Sequence, residues 1–260
     1  MIQMLLQPVS FSDLLSCLGY AAAYETFFRR MRTELTWKRR LFMLLADLTG
    51  YLILMRLLPR TEYLRVLLLH LILAAASTLQ LRLECRLDWS YAVFLGTSFV
   101  LYRGVWNAQL SALLLPWLEE NALLRNAVNQ IVSLLLLYAL QKWVVRMDRT
   151  RTVNRYELFV SLFPACVMFT VRIAIYHYCF YLEAVLAARG VQVFVLLGGL
   201  LGISTLVTLG ASEMYFSYIH TQEELQLAEQ QLQQQGQSLP TVEARRGSRH
   251  PGGLLLPTSP

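Results

Sequence analysis

Charge is scarce in this sequence. Only 15% of its 260 residues are Asp, Glu, Lys or Arg, against roughly 25% in ordinary soluble domains. A further 56% are hydrophobic and arrive in blocks, so a large soluble core is the weaker reading. Cysteine is scarce too. Cys17, Cys85, Cys166 and Cys179 lie far apart or inside apolar blocks, with no C-x-x-C and no histidine at metal-ligand spacing. That indicates neither a disulfide framework nor a zinc site. His70 and His177 fall in different blocks without an acidic or cysteine partner at helical spacing. The chain contains no Walker loop, nucleophile elbow, H-E-x-x-H or G-x-G-x-x-G, so no catalytic, cofactor-binding or metal-ligating residue is assigned. Met1 to Val9 has no basic region and no small-residue cleavage pattern, and the first helix is expected to stay in the mature chain.

Long apolar runs take the place of these absent features. A spanning helix needs about 20 mostly apolar residues to cross about 30 Å of hydrocarbon. With that ruler, spans fall near 10–28, 41–59, 63–81, 90–115, 123–143, 156–181 and 191–215. The first holds Asp13 and Glu25, and an interfacial helix is its alternative reading. The fourth is long and runs into Pro116 and Trp117, which suits a tilt or kink. The expected fold class is therefore all-α: a polytopic membrane bundle of about seven transmembrane helices with a cytoplasmic helical extension.

Basic residues resist translocation in short loops, so their distribution orients the bundle. Arg29, Arg30, Arg32, Lys38, Arg39 and Arg40 lie in the first loop, Arg82 and Arg86 in the third, and Lys142, Arg146, Arg149, Arg151 and Arg155 in the fifth. Only Arg56, Arg60, Arg65, Arg125 and Arg189 lie in or beside the even loops. Thirteen against five puts the odd loops in the cytoplasm, the N-terminus outside and the C-terminus inside. The net charge of +6 is thus used at the ends of apolar blocks, and nucleic acid is not an expected partner.

After the last span the composition changes. Residues 216–235 are rich in Gln and Glu and contain no Gly or Pro, which favours a helix. In heptad register Tyr218, Leu225 and Leu232 share a seam position, thin and partly polar, through which two copies could pair as a homodimer. Gly236 to Pro240 reads as a break and 236–260 as disordered. The expected organisation is a transmembrane domain over 1–215, a helix over 216–235 and a tail over 236–260.

Ionisable groups inside spans are costly and point to a buried pair or a functional pathway. Asp47 in the second span, Arg103 in the fourth and Arg172 in the sixth are the candidates. One reading pairs Asp47 with Arg103 or Arg172 to fix helix packing; others are ligand contact and snorkelling. Arg172 shares a helical face with Phe169, Tyr176 and Phe180. Gly198-x-x-x-Gly202 matches a small-residue helix contact.

Six or seven spans with short loops, a strongly basic first loop, and a last span continuing from Glu213-Met214-Tyr215-Phe216 into Glu224-Leu225-Gln226-Leu227 resemble the membrane input half of peptide-sensing histidine kinases. These are the Gram-positive quorum-sensing receptors with a GHKL-type ATPase. The resemblance covers about residues 1–235 and is one of architecture, without an invariant motif. It implies a signal-sensing domain of a two-component system in a bacterial cell membrane, in contact with lipid and with a small extracellular peptide or lipid-like signal. In that family the helix leads to a dimerisation helix with a phospho-accepting histidine and then an ATP-binding domain. Thr241 to Arg246 looks like the start of such a helix, but Pro251 follows Arg249-His250 and no ATP-binding box is present. His250 is therefore not carried over as phosphoacceptor, the chain as given is expected not to be an enzyme, and its end resembles what a truncating frameshift leaves. A small multi-pass transporter or channel subunit, and a membrane scaffold without ligand, are the alternatives.

Overall fold

The computed structural model describes residues 10–31, 36–57, 63–114, 121–143, 151–178 and 194–247. Among them are seven α-helices and no strand. In chain order these are α1 Phe11–Phe28, α2 Trp37–Leu57, α3 Tyr63–Cys85, α4 Trp89–Leu114, α5 Ala122–Trp143, α6 Arg155–His177 and α7 Gly199–Gly247, the last preceded by a π-helical turn at Phe194–Gly198. Six of the seven expected apolar blocks coincide with a helix to within a few residues, and the seventh, 191–215, overlaps the π-helical turn and the first part of α7, which runs on to Gly247.

Short polar side chains start these helices. Ser10 and Asp13 form a capping box on α1, and Asn154 and Glu157 form another on α6. Asn121 Oδ1 accepts from the Leu124 amide at the start of α5, and Asp88 Oδ2 from the Ser90 amide at the start of α4. Three residues join α3 to α4, and Arg86 among them has φ 55°, the left-handed conformation that ends helices. The two acids of the first span lie at its ends and both are paired. Asp13 lies 3.8 Å from Arg56 and Glu25 lies 3.7 Å from Arg40, so neither charge is stranded in the apolar middle.

Large apolar side chains cover the exterior as well as the interior, and several polar side chains are buried. On α5 the buried positions are Asn129, Gln130, Ser133, Leu137 and Gln141, while Ile131, Leu135 and Tyr138 are exposed. On α6, Phe159, Phe163, Val167 and Val171 face outward, and Ser161 and Arg172 face inward. A contiguous apolar exterior of this kind suits lipid as solvent and would aggregate in water. Among the described residues four segments are long and apolar enough to cross a membrane: Tyr63–Cys85, Leu123–Lys142, Arg155–Ile175 and Leu196–Gln235. The other three helices carry more polar groups: α1 has Ser12, Asp13, Ser16 and Glu25, α2 opens on Lys38, Arg39 and Arg40, and α4 contains Arg103.

Helix α4 is central, packed against α1, α3, α5, α6 and the π-helical turn. Its side chains Tyr91, Leu95, Phe99 and Tyr102 are buried, and Phe99 is ringed by Tyr20, Tyr24, Phe27 and Phe28 of α1 at centroid distances of 5.5–5.7 Å. Gly96 brings α3 close, because a Cβ there would lie 2.8 Å from the Thr78 amide nitrogen.

Contacts between connections identify two ends of the bundle. At one end the Arg39 guanidinium donates to the Leu83 carbonyl and the Cys85 thiol to the Met31 carbonyl. At the other, Asn126 Nδ2 donates to Ser12 and Ser16, and Asp13 meets Arg56. At the first end lie the described residues of the odd, basic connections.

Two compact units divide the chain between Glu213 and Met214, inside α7. Within the first, the 151–154 segment is held by a buried ion pair: Arg151 donates to Glu213 Oε1 at 2.7 Å, with side chains only 5% and 3% exposed. The guanidinium also lies 5.5 Å from the Tyr91 ring centroid. In the second unit Tyr218, Leu225 and Leu232 are all exposed. Helix α7 continues to Gly247, so 236–247, expected beyond the helix end, are helical. A proline inside a helix removes one backbone donor, a cost of about 3 kcal/mol that weakens a helix without forbidding it. Thr241 to Arg246, already helix-like in sequence, lie on its far side. Residues 248–260, with His250, lie outside the described residues.

Removing one member of a buried pair strands the other, whereas replacing both by apolar groups is close to neutral. Glu213→Gln is expected to destabilise the protein by about 3–5 kcal/mol, and Arg151→Met with Glu213→Leu to recover most of that loss. Thermal melting in detergent checks both, and additive losses in the double variant would show that the pair is not coupled.

Candidate functional site

A cavity of about 420 Å³ lies inside the first unit, at the end opposite the basic connections. Six helices contribute to it. The start of α1 supplies Ser12, Ser16 and Tyr20, the end of α2 supplies Tyr51, and α3 supplies His70. Arg103 and Asn107 come from α4, Asn126 and Gln130 from α5, and Phe169 and Arg172 from α6.

The arginines are placed by aromatic rings and by backbone. Tyr20 and Tyr51 stack with centroids 4.6 Å apart, and the Arg103 guanidinium carbon lies 4.9 Å and 5.7 Å from their ring centroids. Such cation–π contacts are worth about 0.5–2 kcal/mol, most when desolvated as here. Arg103 is 7% exposed, and among the described residues its side chain makes one hydrogen bond, a long one of 3.4 Å to Gln130 Oε1. Arg172, 2% exposed, donates to the Gly104 carbonyl at 3.3 Å and the Val105 carbonyl at 2.8 Å. Its guanidinium thereby ties α6 to α4.

A polar relay continues from Arg103. Gln130 Nε2 donates to Asn126 Oδ1 at 3.2 Å, and Asn126 Nδ2 donates at 3.0 Å to each of the Ser12 and Ser16 hydroxyls. Gly19 makes room for it, since a Cβ there would overlap the Gln130 amide. His70 Nδ1 lies 2.8 Å from the Val66 carbonyl. A carbonyl only accepts, so this nitrogen carries the proton. The imidazole packs edge-on to Phe169 with centroids 5.1 Å apart.

Of the three intramembrane candidates, the fold brings Arg103 and Arg172 to one cavity and leaves Asp47 outside its lining. Asp47 Oδ2 accepts from Gln80 Nε2 at 3.0 Å, and the same amide donates to Glu84 Oε1 at 3.0 Å. Among the described residues Arg103 has no ion-pair partner, so an Asp47–Arg103 pair is not formed. Phe169 does accompany Arg172 in the lining; Phe180 lies outside the described residues. In the Gly198-x-x-x-Gly202 motif, Gly202 is the contact point: a Cβ there would lie 3.2 Å from Val105 Cγ1 and 3.5 Å from Arg172 Nε.

Asn126, Asn129 and Gln130 carry no charge and so do not stand out among the ionisable groups of the apolar blocks. Their signal is in the sequence: three amides at i, i+3 and i+4 within an apolar span mark one helical face. No group of three His, Cys, Asp or Glu among the described residues is placed to hold a metal ion.

Two glycines give contrasting tests of the packing. A Cβ at Gly104 would lie 2.7 Å from Phe169 Cζ, while one at Gly50 would meet nothing within 4 Å. Gly104→Ala is expected to lose about 1–3 kcal/mol through overpacking, and Gly50→Ala to gain up to about 1 kcal/mol from helix propensity. Melting both in the same detergent checks this, and equal effects would show that Gly104 is not a tight contact.

Comparison with known proteins finds no family model, curated protein or solved structure that matches the chain.

Proposed function

We propose that this chain is the membrane-embedded signal-sensing domain of a two-component sensor histidine kinase of the peptide-sensing, GHKL-ATPase type. It crosses a bacterial cell membrane seven times, with the N-terminus outside and the C-terminus cytoplasmic. The observation that carries the reading is the polar cavity built by six helices at the end away from the basic connections. Under the positive-inside orientation that end faces outward, where an extracellular signal arrives. The volume lies within the usual range of small-molecule sites, which suits a small peptide or lipid-like signal held within the bundle.

Output leaves through α7. Its 49 residues exceed the about 20 that a span needs, and Tyr218, Leu225 and Leu232 form the seam through which two copies pair. The chain's own task is binding and transmission, and phosphoryl transfer belongs to a kinase half. A transporter or channel subunit is the second reading, favoured by the same buried arginines.

Four measurements test these statements. With the four native cysteines replaced by alanine, Phe11→Cys is expected to react with an impermeant maleimide in intact cells, and Lys142→Cys only after permeabilisation; the reverse pattern inverts the orientation. A fusion of residues 1–235 to the dimerisation and ATPase half of a GHKL kinase is expected to change autophosphorylation when peptide fractions of spent medium are added. Leu225→Cys in that fusion is expected to crosslink two copies. Solute flux through liposomes without any kinase response would favour the transporter.

A further inference from the structure

We propose that the cavity recognises the anionic group of its ligand, a carboxylate or phosphate, through the guanidinium of Arg103. The inference rests on the reading of the chain as a ligand-sensing domain and adds the chemistry of the ligand.

The first argument is the state of Arg103. Its side chain is 93% buried by its 7% exposure, and Nε is inaccessible to solvent without a hydrogen-bond partner among the described residues. A guanidinium offers five N–H donors, and here a single bond of 3.4 Å is formed. Burying a charge is expensive unless it is paired. The two tyrosine faces offset part of that cost and leave the in-plane donor edge for something else. That edge presents parallel N–H groups, the geometry that binds carboxylate and phosphate bidentately.

The second argument is the charge of the lining. Arg103, Arg125 and Arg172 border the cavity, against one carboxylate, Asp13. Asp13 is at the rim, 37% exposed and 3.8 Å from Arg56. The inner half is therefore cationic, with the His70 imidazole and the Tyr20 and Tyr51 hydroxyls as its other titratable groups. Low-dielectric walls strengthen the attraction of such a site for an anion.

The third argument is the remaining surface. Leu69, Leu73, Val100 and Ile173 border the polar groups, so the ligand is an anion with a small apolar body. A free acid such as a peptide C-terminus and a lipid phosphate headgroup share this chemistry.

The full chain in phosphatidylcholine nanodiscs tests the proposal, with radiolabelled acetyl-dileucine acid and its neutral amide as probes. The acid is expected to bind at least about tenfold more tightly than the amide. Arg103→Gln is expected to weaken the acid at least about thirtyfold, the low end for deleting one member of a buried charge pair. Arg103→Lys, which keeps the charge and loses the planar fork, is expected to fall between. A second arm uses nanodiscs containing phosphatidylglycerol. If the lipid raises the melting temperature of wild type but not of Arg103→Gln, and competes with the acid, the anion is a headgroup; binding of the acid alone makes it a free ligand.

Equal binding of acid and amide overturns the proposal, as does no binding of either without stabilisation by phosphatidylglycerol. So does unchanged acid binding in an Arg103→Gln protein that melts like wild type. Should that variant not fold, the acid–amide comparison decides alone. A kinase fusion that responds to peptides while acid and amide bind equally defeats this inference and leaves the sensing reading. Acid binding beside a silent fusion does the reverse.

Discussion

A helix bundle with apolar side chains outward cannot be held together by the hydrophobic effect, because lipid tails are as apolar as leucine. Everything else in this structure depends on that constraint. Close backbone approach replaces hydrophobic drive at Gly96, Gly104 and Gly202, where a Cβ would press on Thr78, Phe169 and Val105. Polar contacts supply the rest: Tyr20 to Ser77 between α1 and α3, Asn126 to Ser12 and Ser16 between α5 and α1, and Arg172 to the α4 backbone. Even the densest aromatic cluster, around Phe99, joins α1 to α4 through ring geometry rather than through exclusion of water.

The same constraint makes each inward charge consequential. Lipid cannot solvate it, so each has a built environment, and the environments differ. Glu213 and Arg151 neutralise each other in the first unit near Tyr91. Asp47 takes a neutral amide, which Glu84 shares. Arg172 is spread over two carbonyls and serves as a brace. Arg103 stands apart, supported by ring faces and one weak hydrogen bond.

The two ends of the bundle are consequently unlike. One carries the basic connections and the Arg151–Glu213 pair, the other the mouth of an amide-, hydroxyl- and arginine-lined cavity. Gly104 lies between these functions at the cavity wall: its missing side chain admits Phe169, and its carbonyl receives Arg172. Cavity wall and helix packing therefore share atoms. This is the physical basis on which occupancy of the cavity would bias the packing of α4 against α6.

The sequence by itself determined where the helices are. Apolar runs of about 20 residues have no other stable form in lipid, and Ser10-x-x-Asp13 and Asn154-x-x-Glu157 mark two starts to the residue. It also determined that the odd connections are the basic ones and that Arg103 and Arg172 are out of place in an apolar run. Which face of each helix turns inward was decided by the tertiary structure. In water the hydrophobic face is buried and periodicity reveals it; in lipid nearly every face is apolar, and orientation follows from a few amides, glycines and tyrosines whose partners lie far away in the chain. Arg151 and Glu213 are 62 residues apart, and Asn126 and Ser16 are 110 apart. Arg103 needs Tyr20, Tyr51 and Gln130 from three other helices. The passage of α7 through Gly236 and Pro240 was likewise beyond local propensity, which weighs the two residues as breakers one at a time. No pattern along one helix encodes such meetings, because each is a property of the space between helices.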